Sequence, residues 1–491
     1  MRGFLASSIG VTCAATLALP LTPPAVASTT ARPAPTAEAA TTAGPAAAGP
    51  AGPAAGPAVQ RAAAPRSAAE PSVPGATQSL PLQPLTRKRT TGVPAEQGLP
   101  RRGVRHFSLV GVVWDDPDTE LHGVVQVRTR AAGTGTWSGW QDVETHNADH
   151  GADAGTPERT SGRVRGATAP LWVGDSDGVE VRVRAQPGRE DRVGTPSAAG
   201  PLPAGLRLEL VDPGTGPDDS LQPAGFKAAG TDTGYGAGAD SDTDELGAEA
   251  AVASAANAAL APLGATEVPP LDRAAAEREL PPLTAQRAKP YIGPRPSIVT
   301  RRGWGADESL REKTFVYTKK VKAAFVHHTA SGNNYRCSQA PSLIRSIYRY
   351  HVKSMGWRDI GYNFVIDKCG RIYEGRAGGV AKPVLGAHTL GFNSNSMGIA
   401  VIGSYGSKKP SSAAVKAIAR LTAWKLGLYG MNPKGKTYLK SGGGNLYRKG
   451  KKVRLNVISG HRDGFATECP GGKLYGKLGS VREKAARYQG R

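Results

Sequence analysis

Three positions late in the sequence carry side chains of the kind that hold zinc. His461 and Cys469 lie eight positions apart in "GHRDGFATECPGG" (Gly460–Gly472), and a His327–His328 pair closes the apolar run "AAFVHH". Zinc takes imidazole nitrogen and thiolate sulfur at roughly 2.0–2.3 Å. The residues between His461 and Cys469 are small, polar or loop-forming, with Gly464 among them, and they suffice for a loop to double back onto one ion. Pro470 favours an extended backbone at Cys469. "AAFVHH" and "VRLNVISGH" both end a strand-like apolar pattern in histidine, and strands ending at a common edge can bring such residues together. Side chains alternate faces along a strand, so only one of His327 and His328 can share the ion, and the other belongs to the core or stands behind the ligands. Spacing alone leaves that choice open, and a chance pairing of His461 with Cys469 as well.

The cysteine count bears on the site. The N-terminus "MRGFLASSIGVTCAATLALPLTPPAVAS" has Arg2, an apolar run and "AVA" before Ser28, the pattern of a secretory signal peptide over 1–27 cut after Ala27. Prolines 20, 23 and 24 break the roughly 20 apolar residues that a membrane anchor needs, and no transmembrane segment is expected elsewhere. Export removes Cys13 and leaves Cys337, Cys369 and Cys469, an odd number for an oxidising compartment. Cys337 and Cys369 could complete a four-ligand structural zinc site, but the exported context favours a disulfide between them. It would staple the start of a helix to a hairpin turn. Three ligands then leave one zinc position open for water, as in a hydrolase.

The elements that must position these residues occupy 291–491. "AAFVHH" and "SMGIAVIG" read as buried strands, "YNFVIDKCGRIYEG" as a hairpin turning at Lys368–Gly370, and "VRLNVIS" as another strand. "APSLIRSIYRYHVKSM" repeats Leu343, Ile347 and His351 at helical spacing; "SSAAVKAIARLTAWKLGLYG" is a helix capped by Ser411 or Ser412, and "VREKAARY" fits a last one. The outcome is an α/β module, a mixed β-sheet with packed helices. A separate all-β module, sandwich-like, is expected at 101–212, where short alternating runs such as Val125 and Val127 are divided by Gly, Asp and Pro. Its Trp114, Trp137, Trp140 and Trp172 suit a core better than a sugar platform. Its His106, His122, His146 and His150 lack metal-site spacing, and "HNADH" reads as an exposed loop. Residues 28–100 and 213–290 read as linkers, the first Pro/Ala-rich and the second disordered.

The net charge of +22 and pI near 9.9 point to anionic polymers. The basic segment 434–455 could draw the protein to anionic wall polymers, or be a solvated hairpin and loop. Export argues against nucleic acid. Asp240, Asp242, Asp244 and Glu245 are explained by a spacer that stays soluble.

Five stretches in series, "FVHHTA" (325–330), "GWRDIGYNFVID" (356–367), "GRIYEGR" (370–376), "GAHTLGFNSNSMGIAVIG" (386–403) and "GHRDGFATECPG" (460–471), resemble the peptidoglycan recognition protein family. They also resemble the related type 2 N-acetylmuramoyl-L-alanine amidases of bacteriophage T7 lysozyme type. "SIVTRRGWGAD" (297–307) is similar to the family's entry segment; residues 1–290 are not covered. The resemblance implies one catalytic zinc ion held by His327, His461 and Cys469. It implies that Tyr362 assists catalysis, that Thr467 stands where amidase members carry Thr or Lys, and that His351, Trp357, His388 and Asn393 line a substrate groove. The implied substrate and partner is peptidoglycan, cut between N-acetylmuramic acid and L-Ala by a secreted or wall-resident protein, expected to be a monomer. Some distant amidases carry a Glu acid/base where this chain has Ala400, so a carboxylate base would have to come from Glu374 or Glu468. Members that bind without cutting typically lack the Cys ligand, which makes Cys469 the discriminating residue; a wall-anchored structural protein is a third reading.

Overall fold

Short apolar runs, buried on both sides, build the centre of the C-terminal module. The structure, a computed structural model, describes residues 74–85, 96–186, 201–216, 246–279 and 291–491; the expected signal peptide lies outside them. Strand Ala323–His328 runs parallel to Ile458–Gly460 on one side and to Ser396–Val401 on the other. Phe364–Ile366 follows in parallel, then Ile372–Glu374 as the antiparallel arm of a hairpin. Gly370 makes the hairpin's turn with φ of +88°, a conformation that favours glycine. Ile298–Val299 and Glu267–Val268 complete a seven-stranded sheet.

One face of this sheet, with Ala324, Val326, Ile399 and Val401, is covered by helices Ser412–Gly427 and Leu478–Tyr488. Ser411 caps the first of these, its side chain accepting the Ala414 N–H. His327, Ala400, Val365 and Tyr373 follow one another across the pairing register, and the last three share a core with helix Ala340–Arg349. A disulfide joins Cys337, just before that helix, to Cys369 in the hairpin turn. "VRLNVIS" divides between two sheets: Lys452–Asn456 pairs with Lys436–Lys440 as a hairpin within the basic segment, while Ile458–Gly460 enters the main sheet.

The N-terminal module is all-β, an eight-stranded sheet with the long strands Glu96–Trp114 and Leu171–Ala185 near its middle. Val125 and Val127 face the core opposite Val183 and Val181. Trp114 and Trp172 are buried. Trp140 is half-buried under the guanidinium groups of Arg128 and Arg182. Among the described residues no helix is long and apolar enough to cross a membrane.

Both linker expectations need correction. Ala76–Pro81 is a strand paired with Arg207–Asp212, and the strand beginning at Glu96 also starts inside 28–100. Within 213–290, Ala248–Ala255 and Arg273–Arg278 are helices and Glu267–Val268 is a sheet strand. "AEAAVASA" has little hydrophobic signal, yet alanine is the best helix former. Ala261, Val268 and Ala276 from this stretch enter the C-terminal core. Strand Ala76–Pro81 exists because a distant edge offers it partners, which no local pattern records.

Nor are the modules two bodies on flexible spacers. Leu109, Val113, Trp172 and Val211 of the first share one core with Leu343, Ile347 and Tyr350 of the second. The Tyr350 ring lies against Gly111, where a Cβ would come within 2.3 Å of its hydroxyl. That hydroxyl donates to the Thr168 carbonyl at 3.1 Å. Arg376 and Glu158 form a buried bidentate pair at 2.9 Å. Interdomain movement is the default only where an interface is small and polar. The modules are therefore expected to unfold together, in one urea transition seen alike by tryptophan fluorescence and far-UV circular dichroism. Tyr350→Ala should lower stability by about 3–5 kcal/mol; two separate transitions would contradict the shared core.

Candidate metal centre

The sheet register brings together the first two candidate ligands. Val326 is paired with Gly460, so the residue following each, His327 and His461, stands at the same end of two adjacent parallel strands. Their ring centroids are 4.5 Å apart and both are fully buried. The chain after His461 turns back, and Arg462 N–H donates to the Cys469 carbonyl at 3.1 Å. Cys469 Sγ then lies 3.8 Å from His327 Nδ1. Ligands bound at about 2.1 and 2.3 Å in a tetrahedron would be roughly 3.6 Å apart. The other histidine of the pair turns away: His328 Nδ1 accepts the Tyr405 N–H at 3.2 Å.

A fourth donor comes from the N-terminal module. His150 is buried, and its ligand atom and those of His327, His461 and Cys469 all lie within 4.8 Å of one another. The expectation of an exposed "HNADH" loop without metal-site character is wrong for its second half. Ligand spacing along a chain is informative only when one segment supplies the ligands, and here they come from two modules. Asp149 Oδ1 holds His150 Nδ1 at 2.9 Å, and its Oδ2 lies 3.6 Å from His461 Nδ1.

The donors fit a metal ion. His150 Nε2, both ring nitrogens of His461 and Asp149 Oδ2 are buried without hydrogen-bond partners, and orphaned buried polar atoms are costly. Burial pushes the His461 imidazole down to about 3 and that of His327 well below its usual range, so both are neutral, the ligating form. Burial pushes the Cys469 thiol well up, with Asp149 adding to it, so ionising the sulfur calls for a cation beside it. Burial would also raise Asp149, but His150, His461 and the Thr467 hydroxyl together hold it well below the usual carboxylate range. Three imidazoles and one thiol suit zinc better than calcium or magnesium, which prefer oxygen.

Tyr362 closes one side, its ring 5.6 Å from that of His327 and 5.8 Å from that of His150. Burial raises its phenol well above the ordinary value, so it stays an O–H donor. Thr467 is half-exposed, and its hydroxyl accepts the Cys469 N–H at 3.1 Å. The two fallback carboxylates are engaged elsewhere. Glu374 accepts from the Asn257 amide at 2.9 and 3.0 Å and is pushed up to about 7 by burial. Glu468 is exposed beside Arg462. The carboxylate that does face the cluster is Asp149.

The four residues expected to line a groove are all buried, at 0–3% exposure. The rings of His351 and Trp357 stack with centroids 4.5 Å apart, and His351 Nδ1 accepts the Gly361 N–H at 3.2 Å. Asn393 Oδ1 accepts the backbone N–H groups of His388 and Thr389 at 2.7 and 3.0 Å, while its Nδ2 donates to Gly151 O at 2.8 Å. Thr389 passes unnoticed in the sequence, yet its hydroxyl lies 3.0 Å from His388 Nδ1 and 3.3 Å from His327 Nε2. Its place directly after His388 in "GAHTLG" was the available signal.

Comparison with known proteins places the two modules in families. Residues 317–472 match the N-acetylmuramoyl-L-alanine amidase family, and residues 60–203 match the Rv3811 N-terminal galactose-binding domain-like family. Peptidoglycan-recognition protein SC2 of Drosophila simulans is 32% identical over 184 residues, covering 37% of this chain and 84% of that protein. The chain belongs to the family of peptidoglycan recognition proteins and type 2 amidases. The N-acetylmuramoyl-L-alanine amidase of Homo sapiens is 31% identical over 37% of this chain but only 28% of its own length. The solved structure of peptidoglycan recognition protein-LE in complex with tracheal cytotoxin, a monomeric diaminopimelic acid-type peptidoglycan, is 29% identical, covering 37% of this chain and 92% of that one, with a TM-score of 0.29. The C-terminal module is accordingly of the peptidoglycan-amidase or peptidoglycan-binding kind, with a buried histidine–cysteine group that could bind metal. Elemental analysis should find that Cys469→Ala and His327→Ala lose bound metal and that His328→Ala keeps it; equal loss in all three would contradict the assignment.

Proposed function

We propose that the protein is a secreted, zinc-dependent N-acetylmuramoyl-L-alanine amidase of the cell wall, hydrolysing the amide between the lactyl group of N-acetylmuramic acid and L-Ala in peptidoglycan. The observation that carries this reading is the buried thiol of Cys469 beside His327 Nδ1 and close to His461. A receptor that only bound peptidoglycan would have no use for that set of donors. A bound zinc ion supplies Lewis acidity, lowering the pKa of a water toward about 7 and polarising the carbonyl.

The chain's own residues would do the rest. Neutral His327 and His461 with the Cys469 thiolate would leave a formal charge of +1, so donors aimed at the developing oxyanion matter more. Tyr362 is such a donor, since burial keeps its phenol protonated. Thr467 would add a second hydroxyl at the mouth. The apolar surroundings of Tyr362, among them Val365 and Ala400, exclude water and strengthen every charge interaction inside. The exposed hairpin of the basic segment would hold the protein against anionic wall polymers.

The second reading, peptidoglycan binding without cutting, is supported by the likeness to peptidoglycan-recognition protein SC2; the burial of His351, Trp357, His388 and Asn393 bears equally on both readings. Digestion of purified peptidoglycan separates the two. Free L-Ala amino groups without new reducing sugars, abolished by chelator, are expected for the amidase. New reducing ends, or cutting that survives chelator, would sink it. Tyr362→Phe should lower kcat by about 100-fold or more with little change in KM; equal losses in both would remove its role.

A further inference from the structure

We infer that His150 is a fourth protein ligand to the metal, and that residues 147–158 of the N-terminal module are a stopper that closes the centre and fills the groove beside it. The inference rests on the amidase reading for the identity of the metal, not for the geometry. His150 Nδ1 is tied to Asp149 Oδ1, which leaves Nε2 as the free donor, and that atom is buried and unpartnered. A carboxylate behind an imidazole is the usual way a metal-bound histidine is oriented. With His150 in place three histidines and one cysteine would hold the ion, and four protein donors would leave a zinc ion no position for water.

The same segment is pinned across the residues that would meet substrate. Asp149 O accepts the Leu390 N–H at 3.0 Å. Asp153 Oδ1 accepts the Gly391 N–H at 2.8 Å and the Asn393 amide at 2.6 Å. Gly151, with φ of +138°, brings the backbone over the ring of Trp357, where a Cβ would lie 3.8 Å from it. Glu158 accepts from both Arg376 and the Arg358 N–H. Between Val143 and Gly166 there is neither helix nor strand. Opening the centre therefore needs withdrawal of this segment, which takes Ala152 out of the shared core but leaves Leu109, Val113, Trp172 and Val211 of the N-terminal sheet in place against Leu343, Ile347 and Tyr350. An activating ligand would have to favour the withdrawn state by its differential affinity.

The test uses the full chain, loaded with zinc, as wild type, His150→Ala, Asp149→Asn and Asp153→Ala. Zinc-edge X-ray absorption should count three imidazoles and one sulfur in wild type, and two imidazoles, one sulfur and an added oxygen in His150→Ala. Chelator competition should show zinc affinity falling about 10–100-fold in His150→Ala, and about tenfold or more in Asp149→Asn through lost orientation. Release of L-Ala amino groups should rise roughly tenfold or more in His150→Ala, as expected when a mostly closed population opens. Asp153→Ala, which keeps all four donors, should raise it in the same direction and covers the case in which His150→Ala fails to fold. Identical coordination and affinity in wild type and His150→Ala would overturn His150 as a ligand. Unchanged or slower cutting in both His150→Ala and Asp153→Ala, with wild type active, would overturn the stopper. Zinc bound by wild type as described, with no cutting by any variant, would instead count against the amidase reading.

Discussion

The parallel pairing of Val326 with Gly460 is the constraint on which the centre depends. It puts His327 and His461 at one end of neighbouring strands, in a region too buried for either imidazole to carry a proton comfortably. The turn that begins at His461 then needs only to reverse direction for Cys469 to reach the same point. Slipping this pairing by one residue would send His327 to the helix-covered face and present His328 instead, because side chains alternate at every step. The apolar character of Ala324, Val326 and Ile458 on the helix side opposes that slip.

Burial makes the site potent and also makes it costly. Both ring nitrogens of His461 and His150 Nε2 lie buried without hydrogen-bond partners, an arrangement that a cation would satisfy, and burial keeps the phenol of Tyr362 a donor. Asp149 is the exception, a carboxylate held in its charged form inside this environment by His150, His461 and Thr467. A strand neighbour of His327, Ala400, carries no carboxylate, but the N-terminal module brings one to the cluster.

The N-terminal module is therefore part of the site and of the fold. Its sheet supplies Leu109, Val113, Trp172 and Val211 to a core completed by Leu343, Ile347 and Tyr350, and its loop supplies Asp149 and His150. The Glu158–Arg376 pair ties that loop to the segment following strand Ile372–Glu374. A buried pair of this kind gives little net stability but a strong penalty if one partner is lost, so it specifies position more than it adds energy.

By itself the sequence determined what is local. The strand carrying His327, the helix capped by Ser411, the hairpin around Gly370 and the cluster His327, His461 and Cys469 were legible because periodicity, turn residues and family motifs lie within single segments. It left His327 and His328 undivided until family likeness chose between them, and strand alternation explains the choice. The tertiary structure alone decided that His150 joins the cluster, that Asp149 stands behind it, and that His351, Trp357, His388 and Asn393 are covered. It alone turned the expected linkers into the strand Ala76–Pro81 and the helix Ala248–Ala255. The physical reason is shared: each of these depends on a partner far away in the chain, and a hydrogen bond or ligand supplied from another module leaves no trace in local composition.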